Sequence, residues 1–348
     1  VTPVDLERTL RDCGSLTRGR IREVEATPIG TGQMAQSVRL TIEYDGPSDG
    51  PVSLVAKFPS TDENSRSIGR SLRAYEIEAG FYRELAATVA VRAPVCHLVA
   101  FDPETHDFVL LLEDLAPAEA GDQIEGCSPD LAADVLSEAV KFHAPRWNDP
   151  ALEGIGWLNR SSPRAASNMA GMVRSLLPGF LERFGSSIDA PTVEGLQRGI
   201  EHIEPWWQGP VGPRTLFHGD LRLDNLLIDA ESGLIGVVDW QTLVLGSGVA
   251  DVSYFIGGNL LPDERRAAEV DLVRGYHEKL HAAGVESLSW EDCWRLYRHG
   301  SWYGAFLAVG ASMLVEQTDR GDQMFITSVT RHVNHAMDLD AVEVIEVP

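Results

Sequence analysis

The sequence predicts an α+β fold in two parts: residues 1–115 as a small sheet-based lobe with one main helix, and residues 116–348 as a larger, mostly helical lobe. Two patterns carry this reading. Up to about residue 115, short strand-like runs recur between turn residues, with one stretch at helical spacing. Beyond it, helical patterns with capped starts dominate. The length agrees, because 348 residues exceed a typical single domain yet suit one two-part unit, and an apolar fraction of 44% fills a substantial core.

Taken in order, Ile21 to Thr27 and Ser37 to Tyr44 read as strands around a turn that holds Gly30, Gly32 and Met34. A glycine pair between strands lets a backbone approach phosphate oxygens closely. A dinucleotide-binding loop would need a third glycine and a helix behind it, whereas here Ala35 follows and Val38 to Ile42 alternates as a strand. Val52 to Phe58 is the next strand. Its one charge, Lys57, shares a side with Val55 and is either a cation for phosphates or a snorkelling surface lysine. Ser71 to Ala87 has helical spacing through Leu72, Tyr75, Ala79, Tyr82 and Ala86. Phe108 to Leu112 is a buried strand that ends in Glu113 and Asp114, acids whose plain alternative reading is solvation at a strand end.

In the second part, Ser128-Pro129 opens a helix reaching about Ala144. Residues 150–210 read as an irregular-plus-helical insertion, and Ser289 caps a long helix expected to reach about Val315. Leu226 to Ile228, a turn from Asp229 to Gly233, and Leu234 to Val238 form a strand–turn–strand unit. The acidic end, Asp338 to Glu346, is expected to fray.

The chemistry concentrates around that unit. Phe217-His218-Gly219-Asp220 is followed by Asn225 and, behind the second strand, by Asp239. A carboxylate at Asp220 can accept a hydrogen bond, and then a proton, from an attacking alcohol. Asn225 and Asp239 offer a neutral and a charged oxygen, hard ligands for a magnesium ion that keeps most of its water. Such a set holds a nucleotide's metal and orients a hydroxyl for phosphoryl transfer; a chance hairpin with surface carboxylates is the plain alternative.

The order His-x-Asp-x-x-x-x-Asn, strand, turn, strand, Asp resembles the catalytic and metal-binding loops of the protein-kinase-like superfamily. His218-Gly219-Asp220 and Asp239-Trp240-Gln241 look like its aminoglycoside phosphotransferase and choline kinase branch, with Gln241 leaning toward the ecdysteroid-kinase-like and related bacterial members. The resemblance implies a bilobal kinase-like fold with an antiparallel sheet, ATP or GTP with magnesium, and a small hydroxylated acceptor. It implies that Glu78, in a Glu-x-x-Phe-Tyr pattern, pairs with Lys57, with Glu76 next in line and Glu84 a solvated charge. It implies that the Glu113 carbonyl and the Leu115 N–H meet the base, that Leu227 lies beneath it, and that Gly30, Gly32 and Met34 belong to the phosphate loop. Asp251 and His218 become braces of the loop around Asp220. Gly219 stands where many protein kinases have Arg, only eleven residues separate Asp239 from Asp251, and no Ala-Pro-Glu follows. Those departures favour a small-molecule kinase over one rival, a protein Ser/Thr kinase, and retention of Lys57, Asp220, Asn225 and Asp239 argues against the other, an inactive nucleotide-binding pseudokinase or scaffold.

Composition narrows the partners. A formal charge of −23 opposes binding to nucleic acid or anionic membrane. The residues from Val1 to Arg20 lack the apolar core of a secretion signal, and the four cysteines have no paired spacing, so a reducing, cytoplasmic setting is expected. Oligomeric state and acceptor stay open; aminoglycosides, other antibiotics, amino alcohols, sugars and sterol-like compounds all fit. Trp206, Trp207, Trp302 and Tyr303 are either acceptor walls or core, and Arg298 and His299 either meet the acceptor or pair at the surface.

Overall fold

The computed structural model describes residues 2–30, 34–160, 162–209 and 212–346. The chain forms two compact units: residues 1–88, 92–118 and 236–242, and residues 89–91, 119–235 and 243–348.

The first unit opens with helix α1 (Pro3–Asp12), capped by the Thr2 hydroxyl, which accepts the Asp5 N–H at 3.2 Å. Strands β1 (Ile21–Ile29), β2 (Ala35–Tyr44) and β3 (Ser53–Pro59) follow, then helices α2 (Glu63–Ser71) and α3 (Ala74–Gly80), then β4 (Cys96–Phe101) and β5 (Phe108–Glu113). All pairings are antiparallel, in the order β1-β2-β3-β5-β4. Leu54 and Ala56 of β3 pack with Leu6 and Leu10 of α1 and with Ile21, Leu40, Ile42 and Leu111. Strand alternation therefore sends Val55 and Lys57 to the opposite face. That face meets α3, where Tyr75 stacks on Phe108 with centroids 4.8 Å apart.

The single helix expected over Ser71 to Ala87 is divided. Asp62 caps α2 by accepting the Ser65 N–H at 2.8 Å, and Arg73, at φ 59°, breaks the chain before α3. Its guanidinium holds Glu76 at 2.7 and 2.9 Å across the break. α3 then widens into a π turn over Phe81–Leu85, with Phe81 stacked on Trp240 at 3.8 Å.

The second unit contains strands β6 (Glu119–Ala120), β7 (Thr215–Phe217), β8 (Leu226–Asp229), β9 (Leu234–Val237, which leads the chain back to the first unit) and β10 (Val244–Gly246). β6 pairs with β8 and β7 with β10, both antiparallel. Among the described residues ten α-helices make up its bulk: α4 (Pro129–His143), α5 (Pro163–Phe184), α6 (Ala190–Glu201), α7 (Ile203–Gln208), α8 (Gly248–Asn259), α9 (Pro262–Ala282), α10 (Trp290–Gly300), α11 (Tyr303–Ser312), α12 (Asp319–Asp338) and α13 (Glu343–Glu346). α8 is buried along nearly its whole length.

Here too the structure refines the reading. The region 150–210 is mainly helical, as α5 to α7. The helix expected to run to Val315 breaks between α10 and α11, where the Ser301 hydroxyl donates to the Arg298 carbonyl at 2.7 Å. The Trp302 ring is buried against Gly199, leaving no room for a Cβ there. The acidic end does not fray through Val342: Asp338 pairs with Arg265 and Arg266, and Ala341 and Val342 are buried in the α5–α12 core. Among the described residues no helix is long and apolar enough to cross a membrane. The α+β class read from the sequence is borne out.

Two histidines, His332 buried and His299 half-buried, make stability pH-dependent. Burial lowers His332 to about 3, with His335, Arg331 and Arg265 adding to it, and lowers His299 to about 4. Unfolded, each takes up a proton near 6.5. The unfolded chain thus binds more protons as pH falls below 6.5, and folding weakens toward the folded values. Each histidine should cost about 1 kcal/mol between pH 6.5 and 5.5. Thermal melts across that interval should show a melting temperature lower at pH 5.5. A second expectation concerns α11: a Cβ at Gly304 would collide with His332 Nε2. Gly304→Ala should cost roughly 1–3 kcal/mol by overpacking, read from the denaturant midpoint.

Candidate active site

In the first unit the site begins with Lys57 on the central strand. Its Nζ donates to Glu78 Oε1 at 2.8 Å and to Asp239 Oδ1 at 2.9 Å. Gln241 Nε2 donates to the other Glu78 oxygen at 3.1 Å. Burial alone would discharge Lys57, but the charges of Asp239 and Glu78 outweigh it and hold the ammonium above its ordinary range. Burial and the nearby Asp239 push Glu78 upward against the pull of Lys57. Glu76 is occupied by Arg73, and Glu84 lies exposed beside Arg83. Asp239 has a left-handed backbone, φ 64°, uncommon for a residue with a side chain. Over a third of its carboxylate surface stays exposed.

The remaining candidates of this unit fall as follows. Gly30 has φ 71° with open space where a Cβ would stand. The Met34 carbonyl accepts the Tyr75 hydroxyl at 2.5 Å and the Ser60 N–H at 3.2 Å, tying the loop's exit to α3. Gly32 lies outside the described residues. The acids at the end of β5 are not merely solvated. Glu113 takes a forked bond from Arg92, at 2.8 and 2.5 Å, and Asp114 one from Arg39, at 2.6 and 3.1 Å. Leu115 is buried, and its carbonyl accepts the Ala118 N–H at 3.0 Å.

In the second unit the loop between β7 and β8 is held from below. The buried Asp251 carboxylate on α8 accepts the N–H groups of His218, at 2.7 Å, and Gly219, at 3.0 Å. His143 Nε2 lies 3.2 Å from the same carboxylate, and its Nδ1 lies 2.8 Å from the Tyr276 hydroxyl. Burial lowers His143, so the ring is neutral and donates through Nε2 while accepting from tyrosine. His218 Nδ1 accepts the Asp220 N–H at 3.2 Å, and Leu223 N–H donates to Asn259 of α8 at 3.0 Å.

The Asp220 side chain sits in a ring of donors. Asn225 Nδ2 donates to its Oδ2 at 2.8 Å and to its carbonyl at 2.9 Å. Arg222 Nε reaches both carboxylate oxygens, at 3.1 and 3.2 Å, and the Tyr254 hydroxyl donates to Oδ1 at 2.9 Å. Arg222 continues to Asp224 at 3.1 Å, and Arg320 links Asp224, at 2.9 Å, with Asp122, at 3.2 Å. The two amide hydrogens of Asn225 are thus committed, which leaves its carbonyl oxygen as the end that can meet a cation. Asn225 and Asp239, each in its own unit, carry the hard oxygen donors magnesium takes. Among the described residues no three His, Cys, Asp or Glu side chains cluster to hold a metal. Leu227 of β8 is half-buried and pairs with Ala120.

Arg222, Tyr254 and Gln241 were not singled out for these contacts from the sequence. Arg222 alternates with Asp220 and Asp224 in the motif, and Tyr254 lies one helical turn beyond Asp251; both spacings were available as signals. The proposed acceptor walls resolve differently. Trp206 and Trp302 are core, and Trp207 packs against that core. Tyr303 packs there too, but its hydroxyl reaches the Gly219 carbonyl at 2.8 Å. His299 is half-buried, its ring stacked on Trp206 at 5.3 Å. Arg298 holds the carbonyls of Leu339 and Asp340 at 2.8 and 2.9 Å.

Against known proteins, the phosphotransferase enzyme family (APH) matches residues 25–288. Over 85 residues, 24% of this chain, the sequence is 33% identical to acyl-CoA dehydrogenase family member 10 of Mus musculus, and the match spans 7% of that protein's length. Among solved structures, a putative aminoglycoside phosphotransferase from Ralstonia eutropha is similar at 15% identity, with 97% of this chain and 98% of that one covered and a TM-score of 0.56. Choline kinase from Cryptosporidium parvum is similar at 10% identity, with 92% and 91% covered and a TM-score of 0.56. Wild-type aminoglycoside 2'-phosphotransferase-IIIa in its GDP complex is similar at 15%, with 96% and 99% covered and a TM-score of 0.55. The structural likenesses establish the kinase-like fold, and the family match spans most of the chain: this protein belongs to the phosphotransferase enzyme family.

Proposed function

We propose that this phosphotransferase moves the γ-phosphate of ATP or GTP to a hydroxyl of a small molecule. The observation that carries the reading is the largely buried Lys57 ammonium shared by Glu78 and Asp239. A charged, desolvated lysine with two carboxylates is an expensive arrangement for stability alone. It makes sense as a preorganised cation for phosphate oxygens. Gly30, Gly32 and Met34 line the phosphate loop in this reading, and the Glu113 carbonyl, the Leu115 N–H and Leu227 serve the base.

When bound through Asn225 and Asp239, magnesium would screen the charge on the phosphates. Asp220 accepts the hydrogen bond of the acceptor hydroxyl. As the hydroxyl oxygen bonds to the γ phosphorus and the bond to the bridging oxygen of the leaving diphosphate breaks, the hydroxyl proton passes to the carboxylate. A loose transition state needs little early proton removal, so positioning counts for as much as basicity. The domain division at about residue 115 is part of the same reading, with the nucleotide served by the first part and the acceptor by the second.

Charge bears on the acceptor. Asp224 and Asp122 are already paired with Arg222 and Arg320. Their field is therefore not free for a polycation, which favours hydroxylated acceptors with little positive charge over aminoglycosides. The short run from Asp239 to α8 argues against an extended peptide as acceptor.

Nucleotide consumption screened against sugars, amino alcohols, sterols, aminoglycosides and other antibiotics tests the reading; labelling of mixed peptides in preference to all of them would replace it with a protein kinase. With MgATP, Asp220→Asn should bind nucleotide normally while turnover falls roughly a hundredfold or more. Lys57→Ala should lower kcat/KM for MgATP by at least about a hundredfold. Wild-type rates in both variants would remove the mechanism.

A further inference from the structure

Tyr254 is buried at the middle of α8, yet its hydroxyl spends its hydrogen bond on a carboxylate at the rim, Asp220 Oδ1, at 2.9 Å. Its ring cannot easily turn away. The His332 ring lies parallel to it, 5.2 Å away and tilted by 5°, and Tyr303 meets it edge-on at 5.5 Å. His332 itself is fully buried, and neither of its ring nitrogens has a hydrogen-bond partner. It fits because the positions facing it, 257, 258 and 304, are glycine. A buried histidine with no polar contact serves packing, and what it packs is Tyr254. Burial first, and the charge of Asp220 next, keep the Tyr254 phenol far above its ordinary range, so it remains a donor at any working pH.

The donors around Asp220 divide by oxygen. Tyr254 takes Oδ1, Asn225 takes Oδ2, and Arg222 Nε spans both at longer distances. Two rigid donors on opposite oxygens fix the rotation of the carboxylate about its own axis. One of them, Asn225, belongs to the recognised motif; Tyr254 does not.

We propose that Tyr254 is a positioning residue for phosphoryl transfer, acting through Asp220 by fixing which oxygen and which lone pair face the incoming hydroxyl. The inference rests on the function proposed for Asp220. Donor strength toward a charged acceptor makes loss of the hydroxyl worth roughly ten- to a hundredfold in rate.

The test uses the full chain with MgATP and water as acceptor, read as phosphate release, in Tyr254→Phe, Asp220→Asn and the double variant. Tyr254→Phe keeps the ring and its stacking, and thermal melting checks that the fold is retained. The expected result is a kcat lowered about tenfold or more, a KM for MgATP within about twofold of wild type, and no further loss when the change is added to Asp220→Asn. An unchanged kcat in Tyr254→Phe overturns the proposal, as does a loss that multiplies with that of Asp220→Asn, because the effect would then not pass through the carboxylate. Wild-type phosphate release in Asp220→Asn, or none above that variant's level in wild type, instead defeats the function proposed for Asp220, and this inference with it.

Discussion

The Lys57 ammonium is the constraint from which the first unit's chemistry follows. Removed from water, it requires opposing charge, and it receives two carboxylates within 2.9 Å. Each carboxylate then needs its own support. Glu78 is held on α3 and takes a further bond from Gln241. Asp239 is presented by a left-handed backbone, and the next residue, Trp240, is stacked on Phe81 of the same helix. One α-helix thus carries both the partner of the lysine and the ring that anchors the segment bearing Asp239. Breaking that helix before Ala74 sets where its buried face begins.

The second unit solves the complementary problem of holding an anion. Asp220 stays partly exposed while its loop is fixed by a second, fully buried carboxylate, Asp251, whose lone pairs are filled by two backbone N–H groups and a neutral histidine. Asp251 and Tyr254 occupy one face of α8, so a single helix sets both the loop backbone and the rotation of the Asp220 side chain. Because α8 is buried almost throughout, this geometry inherits the rigidity of the core. Charge alternates outward from Asp220 through Arg222, Asp224 and Arg320 to Asp122, which limits how strongly the chain's net −23 is felt near the loop.

What the sequence made legible was local. Strand periodicity placed β1, β2 and β3 within two residues of their ends. The Ser128 cap marked α4 to the residue. Lys57 could be named as the one charge on its strand, and Glu78 from the Glu-x-x-Phe-Tyr pattern that the family resemblance supplies. What escaped depends on tertiary contact. The break at Arg73 has no proline or glycine to announce it, and the break at Ser301 follows from seating Trp302 in the core. Tyr254 was hidden for the same reason. Its spacing from Asp251 puts it on the same helix face, but the bond to Asp220 crosses 34 positions of sequence.

The choice of cation sharpens the contrast between the two sites. Of 29 basic residues, only three are lysines, at 57, 141 and 279; the chain uses arginine almost everywhere else. At Arg39, Arg92, Arg222 and Arg331 the planar fork is engaged by two or more oxygen partners. A guanidinium does this well because its donors are fixed in one plane. Lys57 lies on the middle strand of a five-stranded sheet, with carboxylates approaching from a helix and from a distant segment. A compact ammonium with three rotatable donors can serve partners in different directions and still turn one N–H toward a third. Where the structure needs permanent scaffolding it uses the fork. At the position proposed to meet phosphate it keeps the one cation whose bonds can be redistributed when a new anion arrives.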